Sequence, residues 1–174
     1  MSKNFGYLAA AALGAVALLG ATALPASAAD TGDTTVTFTL AGGSLDITPA
    51  AGAALTDDAP GAASVSGSLG AVGVSDTRGS TAGWVISAAS TTFTEIGGSV
   101  STGVSYNSGA ATASTGTVTP TSAGATSITA VAPVAAGTVA SGNNTASYTP
   151  TLTVALPASA LAGDYTGTVT TSIA

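Results

Sequence analysis

The chain contains no cysteine and no histidine, and its 174 residues include one lysine, Lys3, and one arginine, Arg78. Each absence removes a class of chemistry. Without cysteine there is no disulfide framework, thiolate nucleophile or soft metal ligand. Without histidine there is no side chain that titrates near neutrality as a general base, and the many serines have no partner to activate them. Zinc, copper and haem lose their usual ligands together, so no cofactor is expected. Two basic residues cannot neutralise a phosphate backbone, which excludes nucleic acid as a partner. No glycine-rich loop runs into a Lys-Ser/Thr pair, so a phosphate cradle is missing too. Glutamine is absent and Glu95 is the one glutamate. With helix formers so scarce and threonine, valine and glycine so common, the expected fold class is all-β.

The first residues read as an export signal. Lys3 supplies a positive start, residues 8–24 (LAAAALGAVALLGATAL) form an uncharged apolar run, and Ala26-Ser27-Ala28 offers a small-residue cleavage site. Pro25 and the cleavage pattern end the run where a membrane anchor would carry basic stop-transfer residues. The expected organisation is a signal peptide over 1–28 and one domain over 29–174, with no membrane span after cleavage. Loss of Lys3 leaves one arginine against eight acids, a mature net charge of −7. The closing TVTTSIA has no apolar tail and no basic cluster, so attachment to a surface is expected to be non-covalent.

Alternation of apolar and hydroxyl side chains marks the strands. Residues 34–40 (TTVTFTL) put Val36, Phe38 and Leu40 on one face, and 44–48 (SLDIT) return after Gly42-Gly43. Residues 49–62 read as a loop, 64–76 as two short strands with a glycine break, and Asp76-Thr77-Arg78-Gly79 as a turn. Trp84, Ile86 and Ala88 share a face of the strand 83–89. A strand surrounds Val104 and Tyr106, and 132–144 reads as a strand followed by a loop ending at Gly142-Asn143-Asn144. Tyr148, Pro150, Leu152, Val154 and Leu156 alternate through 145–157, and Tyr165, Gly167, Val169, Thr171 and Ile173 through 162–173. Gly163-x-Tyr165 ahead of the last strand resembles a tyrosine corner. Strands at this spacing predict a single antiparallel β-sandwich, immunoglobulin-like or a flattened barrel.

Three groups of residues carry chemical possibilities. Asp76 and Glu95 bracket the Trp84 strand, and two carboxylates beside an aromatic are the parts of a glycosidase. The plainer reading, which the sequence favours, makes Asp76 a turn residue and Glu95 a solvated one. Asp57-Asp58 is the best calcium candidate, but no calcium-loop spacing surrounds it. Trp84, the one tryptophan, either fills the core with Phe38, Leu152 and Tyr165 or stacks on a glycan. Apolar neighbours at Ile86 and Ala88 favour the core.

Gly83-Trp84-Val85-Ile86 resembles the first motif, Trp-x-Leu, of the WxL surface domain of Gram-positive bacteria, with Ile86 in the leucine position. Tyr148-Thr149-Pro150-Thr151-Leu152-Thr153-Val154-Ala155-Leu156 resembles its second motif, Tyr-x-x-x-Leu-Thr-Trp-x-Leu. Tyr148, Leu152, Thr153 and Leu156 match, and Val154 replaces the second tryptophan. The chain is most similar to the divergent, Ala/Thr-rich form found in high-GC Gram-positive bacteria, and the likeness covers essentially the mature chain. The resemblance implies a secreted, non-enzymatic surface protein held non-covalently on the cell wall. Its partner would be peptidoglycan or another wall component, with other surface proteins as further candidates. Trp84, Ile86, Tyr148, Leu152, Thr153 and Leu156 would then be wall-binding or fold-motif residues. A second expectation comes from composition alone. Lysine-free Thr/Ser/Val strands and the N-terminal arm DTGDTTVTFTL suit a structural subunit of a surface layer or filament that assembles by strand addition.

Overall fold

Threonine and valine branch at Cβ and are restricted at χ1, which favours extended chain when alternate side chains can be buried. In the computed structural model, which describes residues 32–56, 58–99 and 102–174, this composition gives fourteen strands and no helix among the described residues. The expected export segment lies outside them. The chain divides into two units after Phe38. In the first unit, Gly32–Phe38 form no strand. Every strand belongs to the second unit, Thr39–Ala174.

All pairing is antiparallel. One sheet has the order β1 (Leu45–Thr48), β3 (Val72–Ser80), β12 (Gly142–Tyr148), β8 (Ala113–Thr115). A second has the order β10 (Ala125–Ser127), β7 (Gly103–Asn107), β13 (Thr151–Ala155), β2 (Ser64–Ser68). The chain passes directly between these two sheets, from β2 to β3 and from β12 to β13. The Leu69 N–H donates to the Pro150 carbonyl at 2.9 Å and ties the two crossings together. Pro150 has no N–H to give, so it suits the break between ladders. The third sheet has the order β14 (Val169–Ile173), β4 (Trp84–Ser90), β11 (Ala132–Thr138), β9 (Thr119–Ser122). A short hairpin, β5 (Thr94–Glu95) with β6 (Gly98–Ser99), is tied to the segment ahead of β14 by a two-bond bridge between Thr94 and Thr166. One buried cluster takes side chains from all three larger sheets, among them Val74, Trp84, Ile86, Val104, Tyr106, Val134, Tyr148, Leu152 and Val154. The architecture is an all-β sandwich.

Several expected elements differ. Residues 34–40 form no strand, and Val36, Phe38 and Leu40 are 79%, 83% and 87% exposed. Alternation prepares a strand, but a strand also needs a neighbour's backbone to bond to. Phe38 is therefore not a core partner of Trp84, and Tyr165 is only half-buried. Asp76-Thr77-Arg78-Gly79 is not a turn, because β3 continues through it to Ser80. Gly142–Asn144 opens β12 instead of closing a loop. Tyr165 behaves as its motif suggests, with its hydroxyl donating to the Leu161 carbonyl four residues back.

Candidate functional site

Four of the six residues singled out by motif, Trp84, Ile86, Tyr148 and Leu152, gather on the inner faces of β4, β12 and β13, while Thr153 lies on the opposite face of β13 and Leu156 just beyond its end. Trp84, Ile86, Tyr148 and Leu152 are 3%, 2%, 1% and 1% exposed. Thr153 and Leu156 are half-buried. The indole of Trp84 meets the Tyr148 ring edge-on, with centroids 6.3 Å apart and planes at 88°, the geometry that aromatic quadrupoles favour. Trp84 fits because its cross-strand partner is Gly137. A Cβ there would strike the indole at Cε2 and lie 2.5 Å from Cζ2. Burial pushes the phenols of Tyr106 and Tyr148 up to about 12. These residues form an interior cluster, and no glycan can stack on Trp84 as it lies.

The two bracketing carboxylates are not a pair. Asp76 is buried on β3, where it accepts from Arg78 Nε at 2.9 Å and Nη2 at 3.0 Å. That bidentate contact, with a backbone bond from Arg78 N–H at 3.1 Å, holds the carboxyl below the usual carboxylate range against the opposing cost of burial. Arg78 Nη2 also donates to the Gly83 carbonyl at 2.9 Å. The one arginine thus fixes the entry to β4, one residue before Trp84. Glu95 lies beyond the other end of β4, whose seven residues span roughly 23 Å. It accepts from the Gly97 N–H within its own hairpin.

Asp57 lies outside the described residues. The Asp58 carboxylate accepts from the next N–H, of Ala59, at 2.8 Å. Among the described residues no group of three or more acidic side chains gathers to hold a metal, and no helix is long and apolar enough to cross a membrane.

Two adjoining grooves among the described residues are further candidate surface sites, and size separates their uses. The first encloses about 240 Å³ between 49–55 and 167–171 and opens onto the core side chains Val72, Tyr106 and Leu152. It is smaller than the roughly 300–1,000 Å³ of most small-molecule sites. The second encloses about 700 Å³ between the 53–61 loop and the 160–167 segment, within that range. Phe93, Leu161 and Tyr165 line it with Asp58 and Asp164. Sequence reasoning missed Phe93, Leu161 and Asp164 as groove residues, because the walls come from loops about a hundred residues apart, and the one local pattern there, at Gly163-x-Tyr165, speaks for a strand entrance and not for a groove. It also missed the buried Asn144, whose Oδ1 accepts from the N–H groups of Thr117 at 2.9 Å and Val118 at 3.0 Å. No family model matches the chain, and no curated protein or solved structure matches it.

Proposed function

We propose that this is a secreted, non-enzymatic surface protein that associates non-covalently with the bacterial cell wall, with peptidoglycan as its ligand. The observation that carries the reading to a place on the molecule is the second groove. Apolar and aromatic side chains with a few polar groups suit a sugar chain, whose ring faces are apolar and whose edges carry hydroxyls. Tyr165 and Phe93 supply the flat surfaces, and Asp58, Asp164 and loop backbone supply acceptors. On this reading the buried motif residues hold the fold and the ligand meets the loops. The export pattern at the N-terminus, the lack of a histidine or cysteine catalyst, and the resemblance at Trp84 and Tyr148 all support it.

The test is co-sedimentation of the chain from residue 29 with purified sacculi, before and after stripping of teichoic acid. Binding that survives stripping, and falls at least tenfold in a Leu161→Ala, Asp164→Asn double variant of unchanged circular dichroism, supports the reading. Leu161 is exposed and holds Tyr165 only through its carbonyl, so its side chain can be cut back without loosening that corner. Equal binding by the double variant moves the site elsewhere. No binding by the parent chain removes the reading.

A further inference from the structure

The first groove is too small for a glycan, and it adjoins β14, an edge strand of the third sheet that has no paired neighbour on its outer side among the described residues. β14 pairs with β4 alone. The carbonyl of Thr168 and both backbone groups of Ala174 bond toward the β4 side. By alternation along an antiparallel strand, the backbone groups of Val169, Thr171 and Ile173 point to the open side. The strand also approaches β1 without pairing with it. Along 167–171 it borders the groove. Thr171 lines that groove, and its Oγ1 is buried without a hydrogen-bond partner.

The other sheet edges carry the usual defences. β1 bears Asp46 and β9 bears Pro120. β8 and β10 are three residues long. β2 is covered where the Thr56 N–H and hydroxyl both donate to the Ser66 carbonyl. β14 reads VTTSI, with no charge, no proline and no bulge.

The chain also carries a segment with the complementary need. Residues 34–40 have no charge and no proline, alternate as a strand does, and form none. Val36, Phe38 and Leu40 are the three large apolar side chains of this stretch, and all are exposed. Their five-residue span matches the five residues 167–171 along the groove, roughly 17 Å in each case. No charged residue lines the groove, so an uncharged strand suits it.

We propose that residues 34–40 of one copy add as a strand to the open edge of β14 in a second copy, with Val36, Phe38 and Leu40 covering the first groove. Each copy then both gives and receives a strand, and a head-to-tail contact of this kind builds a chain of copies unless its rotation closes a ring. The inference does not rest on wall binding, although the two grooves share Phe93 and Gly167.

The absence of cysteine makes the test clean. Single variants Thr37→Cys and Thr170→Cys, both at exposed positions, are purified from residue 29, mixed, and treated with a short bis-maleimide. A crosslinked dimer that needs both variants is expected, together with a mass that rises with concentration in light scattering. Phe38→Asp should return the protein to a monomer without changing its circular dichroism, since Phe38 is exposed and lies outside any strand. Three results overturn the proposal. One is a monomer at all concentrations with no crosslink. Another is no crosslink between the mixed single variants but a crosslink within one chain in a Thr37→Cys, Thr170→Cys double variant, which would place the segment on its own β14. The third is assembly that persists in Phe38→Asp.

Discussion

Placing alanine at Gly137 tests whether the indole of Trp84 lies where the interior cluster requires. The backbone there is no obstacle, because Gly137 is absent from the positions with positive φ. The new methyl would meet Cε2 of the indole, with Cζ2 at 2.5 Å and Nε1 at 2.6 Å, where ordinary carbon contacts begin near 3.5 Å. The ring must therefore move by about 1 Å, yet it is 3% exposed and abuts Tyr148. Overpacking of this kind costs about 1–3 kcal/mol, against about 0.4–1 kcal/mol gained by stiffening the unfolded chain. The expected net loss is about 1–2 kcal/mol, or roughly 3–7 °C in melting temperature for a domain of this size. Gly73→Ala is the control. It is the second residue of β3, and its Cβ would meet only the Thr48 carbonyl oxygen, at 4.0 Å. It should be neutral or slightly stabilising. Urea unfolding followed by tryptophan fluorescence reads both stability and indole environment, because Trp84 is the one reporter. A Gly137→Ala protein as stable as the Gly73→Ala control, with unshifted emission, would refute the placement of Trp84 against β11.

Asn144→Ala leaves the N–H groups of Thr117 and Val118 without their shared acceptor, and a loss of about 2–4 kcal/mol is expected in urea titration. Stability should fall as pH rises between about 10 and 12, because Tyr106 and Tyr148 are held neutral in the fold and ionise more easily once unfolded. Tyr148→Phe should move that alkaline midpoint upward in circular dichroism. At the acid end the sign is opposite. Asp76 is depressed below 3.8 by Arg78, so its contribution is complete above that value and lost as pH falls through the native titration. Asp76→Asn should lower stability at pH 7 and flatten the acid limb, and an unchanged acid limb would show that another carboxylate governs it.

The sequence was legible wherever a strand buries one face and turns the other to solvent. Trp84, Ile86 and Ala88 alternate with Val85 and Ser87, and the structure buries that set. The same rule found β13, with Leu152 and Val154 inside. It misread 76–79, where aspartate and glycine suggest a turn. There Asp76 and Arg78, two apart on one face of β3, neutralise each other and let a charged pair run inside a strand. An acid and the chain's one arginine at that spacing were the available signal. Sheet order was not legible, because β8, β9 and β10 are short Ala/Thr/Ser/Pro segments whose place is set by the strands they meet. The second groove was hidden for a related reason, since its walls come from separate loops. Residues 34–40 are the instructive failure. Their alternation is as regular as that of β4, and they form no strand. A pattern specifies that a face must be covered, but not by which chain, and sequence periodicity is the same for a strand given away as for one kept. What separates the two cases is the presence of an open edge of matching length and uncharged lining. β14 is such an edge, and on the proposed assembly the strand signal at Val36, Phe38 and Leu40 belongs to the pair of copies and not to the single one.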